Sequence, residues 1–134
     1  MKNNFNFFLL KVSFFIFVMF ENVLAQSFQF EAEIIETNDD NYIVASNNVI
    51  IKDALGAKVF GDKLILDKAS KIYTITGNVN YVDKTNLVSL NADKIIYNEV
   101  NKIINTEGPT ILEKNNLYTI KSSDIEYDLL KKKI

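Results

Sequence analysis

From residue 28 onward, apolar and polar positions alternate along the chain, and the alternation returns at a fixed interval. Leu64 and Leu66 point to one face of an extended segment and Ile65 to the other, because side chains alternate along a strand. The same holds for Ile95 and Tyr97, and for Ile125 and Tyr127. A second strand follows each of these. It carries Ile43 and Ala45, then Tyr73 and Ile75, then Ile104 and Thr106, and it runs on into Val49 and Ile51, Val79 and Tyr81, or Thr110 and Leu112. β-branched and aromatic residues dominate these runs, as strands favour.

Two elements mark the repeat. Ser46-Asn47-Asn48-Val49-Ile50-Ile51 returns as Thr76-Gly77-Asn78-Val79-Asn80-Tyr81 and as Glu107-Gly108-Pro109-Thr110-Ile111-Leu112. Ile34-Ile35-Glu36-Thr37 returns as Leu64-Ile65-Leu66-Asp67, Ile95-Ile96-Tyr97-Asn98 and Ile125-Glu126-Tyr127-Asp128. The interval is about 30 residues in both series, with one extra residue before the third copy, a period typical of repeat architectures. Turn clusters separate the strands: Asn38-Asp39-Asp40-Asn41, Asp67-Lys68-Ala69-Ser70, Asp83-Lys84-Thr85-Asn86, Asn98-Glu99-Val100-Asn101 and Lys114-Asn115-Asn116. Pro109 fits a strand only at an edge or bulge, and Gly77 and Gly108 are expected to mark bends. No helix-period stripe follows residue 28, so the expectation is an all-β fold.

Two or three short strands cannot bury their apolar face alone, but stacked units build continuous columns. One column is expected to run Ile34, Leu64, Ile95, Ile125, and a second Glu36, Leu66, Tyr97, Tyr127. A third runs Val49, Val79, Thr110, and a fourth Ile51, Tyr81, Leu112. Ile35, Ile65 and Ile96 also align, so the pattern alone leaves both faces open as the interior. The columns holding Tyr and Leu are taken as the inner ones.

Residues 1–25 differ from the rest. Lys2 and Lys11 flank the start of an apolar run, Val12 to Phe20, and Val23-Leu24-Ala25 supplies small residues before Gln26. This is the three-part pattern of a secretory signal peptide, with a repeat domain over 26–134. The competing expectation is a retained anchor, for which the unbroken run is short of the roughly 20 residues a span needs.

At 134 residues there is room for one domain. With 48% hydrophobic and 24% charged residues the chain has the composition of an ordered protein. A net charge of −2 with no basic run before the last residues gives no electrostatic footprint for nucleic acid. There is no Cys and no His, which excludes disulfides, thiolate chemistry, Ser-His-Asp catalysis and the commonest zinc sites. Asp39-Asp40, Asp62 and Asp67 stand at turn positions and show no calcium-loop motif. No catalytic residue, metal ligand or cofactor is expected. Lys131-Lys132-Lys133 is expected to be a turn, with a phosphate contact as the lesser reading.

Gly61-Asp62-Lys63-Leu64-Ile65-Leu66-Asp67, Ala92-Asp93-Lys94-Ile95-Ile96-Tyr97-Asn98 and Ser123-Asp124-Ile125-Glu126-Tyr127-Asp128, each spaced from a Gly-Asn-Val-like stretch, resemble the OstA-like repeat of the lipopolysaccharide transport family. That family includes LptA and the N-terminal domain of LptD. The resemblance covers residues 28–134. It departs in the first unit, which has Glu33 and Glu36 where Asp and an aromatic are typical, and in the third, which has Pro109-Thr110 for Asn-Val. The resemblance implies a folded-over β-jellyroll with an open apolar groove that shields acyl chains of lipopolysaccharide (the lipid A chains) in the periplasm. Carried onto this chain, the groove would comprise Ile34, Val49, Ile51, Leu64, Leu66, Val79, Tyr81, Ile95, Tyr97, Leu112, Ile125 and Tyr127. It also implies edge-strand, end-to-end pairing with other Lpt proteins or with further copies. Ile134 aligns with Ile104 and Tyr73, so the chain is expected to stop inside its fourth repeat. That favours an LptD-like N-terminal domain, with an LptA-like bridge close behind. The alternatives are an inner-membrane-anchored LptC-like component and a structural β-solenoid without lipid cargo.

Overall fold

The computed structural model describes residues 28–38 and 40–134. The segment read as an export signal lies outside the described residues. The strands are β1 (Gln29–Glu31), β2 (Ile34–Asn38), β3 (Tyr42–Lys52), β4 (Lys58–Asp67), β5 (Ile72–Asp83), β6 (Val88–Asn98), β7 (Ile103–Glu107), β8 (Thr110–Lys114), β9 (Tyr118–Ser122) and β10 (Glu126–Asp128). All pairings are antiparallel: consecutive strands pair from β2 to β7 and from β8 to β9, while β1 also pairs β3, β8 also pairs β6, and β10 pairs β7. The result is a meander, joined by short turns, in a 10-stranded sheet.

Every pass of the meander is interrupted at the same level. Register shifts occur between Ser46 and Val49, between Phe60 and Lys63, and between Thr76 and Val79. The pairs β1/β2, β7/β8 and β9/β10 are single passes broken at that level. A β-bulge bends its strand, and a row of bulges folds a sheet. Two walls result. One holds β2, residues 42–46 of β3, 63–67 of β4, 72–76 of β5, 94–98 of β6, β7 and β10. The other holds β1, residues 49–52, 58–60, 79–83 and 88–92, then β8 and β9.

The fold line explains the repeat motif. Asn47 (φ 64°), Asn48 (φ 52°), Gly77 (φ 83°), Asn78 (φ 48°) and Gly108 (φ 84°) adopt the left-handed region that Gly and Asn tolerate best. The neighbouring pass places an acidic residue against each of these bends. Glu33 accepts a hydrogen bond from Asn48 Nδ2, Asp62 accepts one from Asn78 Nδ2 at 3.4 Å, and Asp93 packs over Gly108. The Gly/Asn element and the acidic element of the repeat are the two halves of one crease.

The turns at the other end repeat as well. Asp67 Oδ1 accepts from the backbone N–H of Ala69 and Ser70, Asn98 from Val100 and Asn101, and Asp128 from Leu130 and Lys131. Each turn then closes on a lysine with positive φ: Lys71, Lys102 or Lys132. An Asx side chain that bonds its own turn offers the backbone an alternative to continuing the strand. Lys131-Lys132-Lys133 lies in such a turn, where Asp128 bridges Lys133.

The inner columns follow the Tyr and Leu faces. Ala45, Leu64, Ile75, Ile95 and Thr106 align across one wall, and Ile43, Leu66, Tyr73, Tyr97, Ile104 and Tyr127 run beside them. In the other wall Val49, Val79, Ala92 and Thr110 are buried, as are Ile51, Tyr81, Leu90 and Leu112. The first unit differs from the expected columns by one residue. Ile35, not Ile34, pairs with Ala45 and shares its face, and Thr37 rather than Glu36 pairs with Ile43. The cause is turn length. Asn38 pairs with Tyr42 across three residues, whereas Asp67 pairs with Ile72, and Asn98 with Ile103, across four. A slip of one residue exchanges the two faces of a strand. By this register Ile34 shares the face of Ser46, on the outer side, and is corrected as a groove residue; both it and Ile35 stand exposed on the edge strand.

Candidate functional site

The space between the walls is not uniform from crease to turns. Toward the crease it is a closed core. Ala45, Leu64 and Leu112 are 0% exposed, and Val49 and Val79 are 1% exposed, while Ile75 and Ile95 stand at the boundary and form the floor of the opening. Toward the turns the walls part and leave an open cleft of about 260 Å³. One wall contributes Tyr73, Tyr97, Ile104 and Leu129 to it, and the other Ile51, Ala57, Val59 and Tyr81. The strands place these residues by simple alternation: Tyr73 and Ile75 stand two apart on β5, as do Ile95 and Tyr97 on β6.

An aromatic cluster forms the mouth. The rings of Phe28 and Tyr73 are 5.3 Å apart, those of Phe28 and Tyr97 5.2 Å, and those of Tyr73 and Tyr97 5.8 Å, all tilted or edge-on. Such pairs contribute about 0.5–1.5 kcal/mol each beyond the area they bury. Lys102 Nζ stands 6.0 Å from the centre of the Phe28 ring and is the lysine among the lining residues.

Two of the lining tyrosines hydrogen-bond neighbouring carboxylates. Tyr73 donates its hydroxyl proton to Glu99 Oε2 at 3.2 Å, and Tyr81 donates to Asp83 Oδ2 at 3.3 Å. Burial, reinforced by Glu99, pushes the Tyr73 hydroxyl up to about 12. Burial likewise raises Tyr81, Tyr97 and Tyr127, with nearby carboxylates adding to it. These phenols are neutral near pH 7, so the aromatic lining is uncharged. Asp83 is 7% exposed. Burial pushes its carboxyl up, but hydrogen bonds from Asn86, Thr85 and Tyr81 outweigh that and hold it below the ordinary range. Its charge is spent locally, on the turn that carries it.

Of the residues expected to form the groove, Ile51, Tyr81, Ile95 and Tyr97 line the open cleft. Val49, Leu64, Leu66, Val79, Leu112, Ile125 and Tyr127 are buried in the closed part of the same interior. Ile34 lies apart, on the outer face. Phe28, Ala57, Val59, Tyr73, Ile104 and Leu129 line the cleft and were missing from the expected groove. Tyr73 and Ile104 were legible, since both alternate with residues already placed inside. Leu129 belongs to a turn, and no strand periodicity points to it.

The fold and the cleft define a class: a folded-over β-jellyroll of the OstA/LptA type, open along its strand edges, with an apolar interior. Among solved structures, the chain is similar to LptH of Pseudomonas aeruginosa, described as the LptA-homologous periplasmic component of the conserved lipopolysaccharide transport device. The TM-score is 0.70 at 16% identity, covering 80% of this chain and 79% of that one. At this identity the likeness establishes the fold. No protein-family model matches the chain, and no curated protein matches it in sequence.

Proposed function

We propose that this protein is a non-enzymatic periplasmic carrier that shelters acyl chains of lipopolysaccharide on their way to the outer membrane. The observation that carries the reading is the cleft itself, an opening between two walls lined mainly by apolar and aromatic side chains. A closed structural solenoid would have no use for walls that part in this way. Concave, mostly apolar sites with a few rim polar groups are the usual form of a small-molecule site. The fold shared with LptH supports the same cargo and compartment.

Among the described residues the sheet is open at both ends of the meander. Ile34 and Ile35 are 48% and 53% exposed at one edge, and Tyr118 is 47% exposed on β9 at the other. An unpaired edge is a template for another strand. End-to-end pairing with other transport components, or with further copies, would join one interior to the next. The shared fold supports an LptA-like bridge and an N-terminal LptD-like domain alike. An LptC-like anchor would depend on residues 1–25.

The test is mass spectrometry of lipid extracted from the protein purified from a Gram-negative periplasm, followed by titration with lipid A. Stoichiometric lipid A, lost in Tyr97→Asp, is the expected result. Folded protein that carries no lipid and takes up none would overturn the reading. Fractionation then separates a soluble bridge from a membrane-held component.

A further inference from the structure

We infer that Phe28 is a displaceable stopper, its ring occupying the place in the cleft that a segment of acyl chain takes when cargo binds. The inference rests on the carrier reading above and adds what sets the capacity of the site.

Three observations carry it. First, the attachment of Phe28 is unlike that of every other aromatic in the cleft. Tyr73 and Tyr97 belong to β5 and β6, the long inner passes of the meander, and each is 8% exposed. Phe28 precedes β1, three residues long, which among the described residues pairs only with the margin of β3. The ion pair that tethers β1, Glu31 to Lys52 at 2.6 Å, is solvent-exposed. Short, exposed edge elements lie at the low-stability end of a fold and open first.

Second, Phe28 spans the mouth. β1 pairs in the wall that holds Ile51, yet the Phe28 ring rests on Tyr73 and Tyr97 of the opposite wall. It crosses the gap an incoming chain must enter. Lys102 Nζ stands over the same ring, 6.0 Å from its centre.

Third, the space left is small. At about 260 Å³ the cleft falls below the roughly 300–1,000 Å³ of pockets that enclose a whole drug-sized ligand. Withdrawing one phenyl ring enlarges the apolar space along Tyr73 and Tyr97 without any movement of the inner strands. Chain and ring compete for one surface, so the apparent affinity equals the intrinsic one reduced by the fraction of molecules with the ring withdrawn.

The sign of one substitution decides between a stopper and a fixed piece of wall. Phe28→Ala removes a competitor in the first case and a contact in the second. With the withdrawn form at about a tenth of the population, Phe28→Ala should bind a fluorescent twelve-carbon fatty acid roughly tenfold more tightly than the parent chain. Equal or weaker binding by Phe28→Ala overturns the stopper while leaving the carrier reading intact. Failure of both proteins to bind either the fatty acid or lipid A overturns both. Phe28→Trp gives a second readout that needs no stability comparison, because the chain contains no other Trp. Saturation with the unlabelled fatty acid should move its emission to the red as the indole enters water. A blue shift, or no shift at saturation, rejects displacement.

Discussion

Asp62 lies so close against Gly77 that a Cβ added to the glycine would stand 2.7 Å from the aspartate Cβ. One repeat later Asp93 stands in the same relation to Gly108, where the added atom would lie 3.2 Å away. Both glycines have positive φ, at 83° and 84°. Gly77→Ala should therefore destabilise the fold twice over, through the left-handed backbone and through the clash, by about 2–4 kcal/mol in all. Adding Asp62→Gly should recover the steric part alone. Urea unfolding of the single and double variants checks this, and a Gly77→Ala protein as stable as the parent would disprove the crease.

The division between closed core and open cleft predicts a separation of stability from binding. Leu64, 0% exposed, lies in the closed part, so Leu64→Ala should cost about 2–5 kcal/mol and leave the affinity of the folded fraction for lipid little changed. Ala57 lines the cleft, and its backbone N–H, not its side chain, is held by Asp53 at 2.8 Å. Ala57→Phe should fill the opening, keep the melting temperature and abolish lipid uptake. Thermal melts paired with lipid titration distinguish these outcomes.

The crease and the inner columns could be read from the chain because both have a local cause. Gly and Asn at positions of positive φ, and apolar residues at period two, are properties of single strands. The first unit resisted that reading. Aligning Ile34 with Leu64 uses the repeat interval, but the turn after Asn38 is one residue shorter than the turn after Asp67, and only the pairing shows it. Counting back from the Asx residue of each turn would have placed Ile35 with Leu64, Ile95 and Ile125. The opening of the cleft had no such signal. It depends on how far two walls diverge, and Leu64 and Tyr97 look equally apolar in sequence although one is sealed and the other lines the opening.

The one-residue correction at the first strand can be tested in solution. Ile35 faces the interior column and Ile34 the outer surface, and both lie on the edge strand β2. If copies of this chain pair end to end, Ile35 meets the partner's apolar interior. Ile35→Asp should then bury an unpaired charge and weaken self-association about tenfold or more, equivalent to about 1.4 kcal/mol or more. Ile34→Asp stays in water and should change it less than about threefold. Sedimentation velocity across a concentration series measures both. Equal effects would place the two side chains on equivalent faces and contradict the pairing.

Asp83 makes the fold sensitive to acid in a predictable direction. Its Oδ1 accepts from the backbone N–H of Thr85 and of Asn86 at 2.9 Å each, and its Oδ2 accepts from Asn86 Nδ2 at 2.6 Å and from the Tyr81 hydroxyl. Burial opposes the charge and these bonds overcome it, so the folded carboxyl titrates below its ordinary value of 3.8. A group depressed in the folded state stabilises it above the unfolded value and loses that contribution as pH falls through the folded one. Asp83→Ala should accordingly cost about 1–3 kcal/mol at neutral pH, since it leaves buried donors without acceptors. Its deficit relative to the parent should shrink as the pH is taken below about 3.8, where the unfolded parent begins to bind a proton that the folded carboxylate still resists. Asp83→Asn keeps an acceptor for the turn and should fall between the two at neutral pH. Denaturant midpoints for the three proteins, measured from neutral pH down to about pH 3, give the result. A deficit that stays constant over that range would mean the carboxylate's charge contributes nothing to the turn.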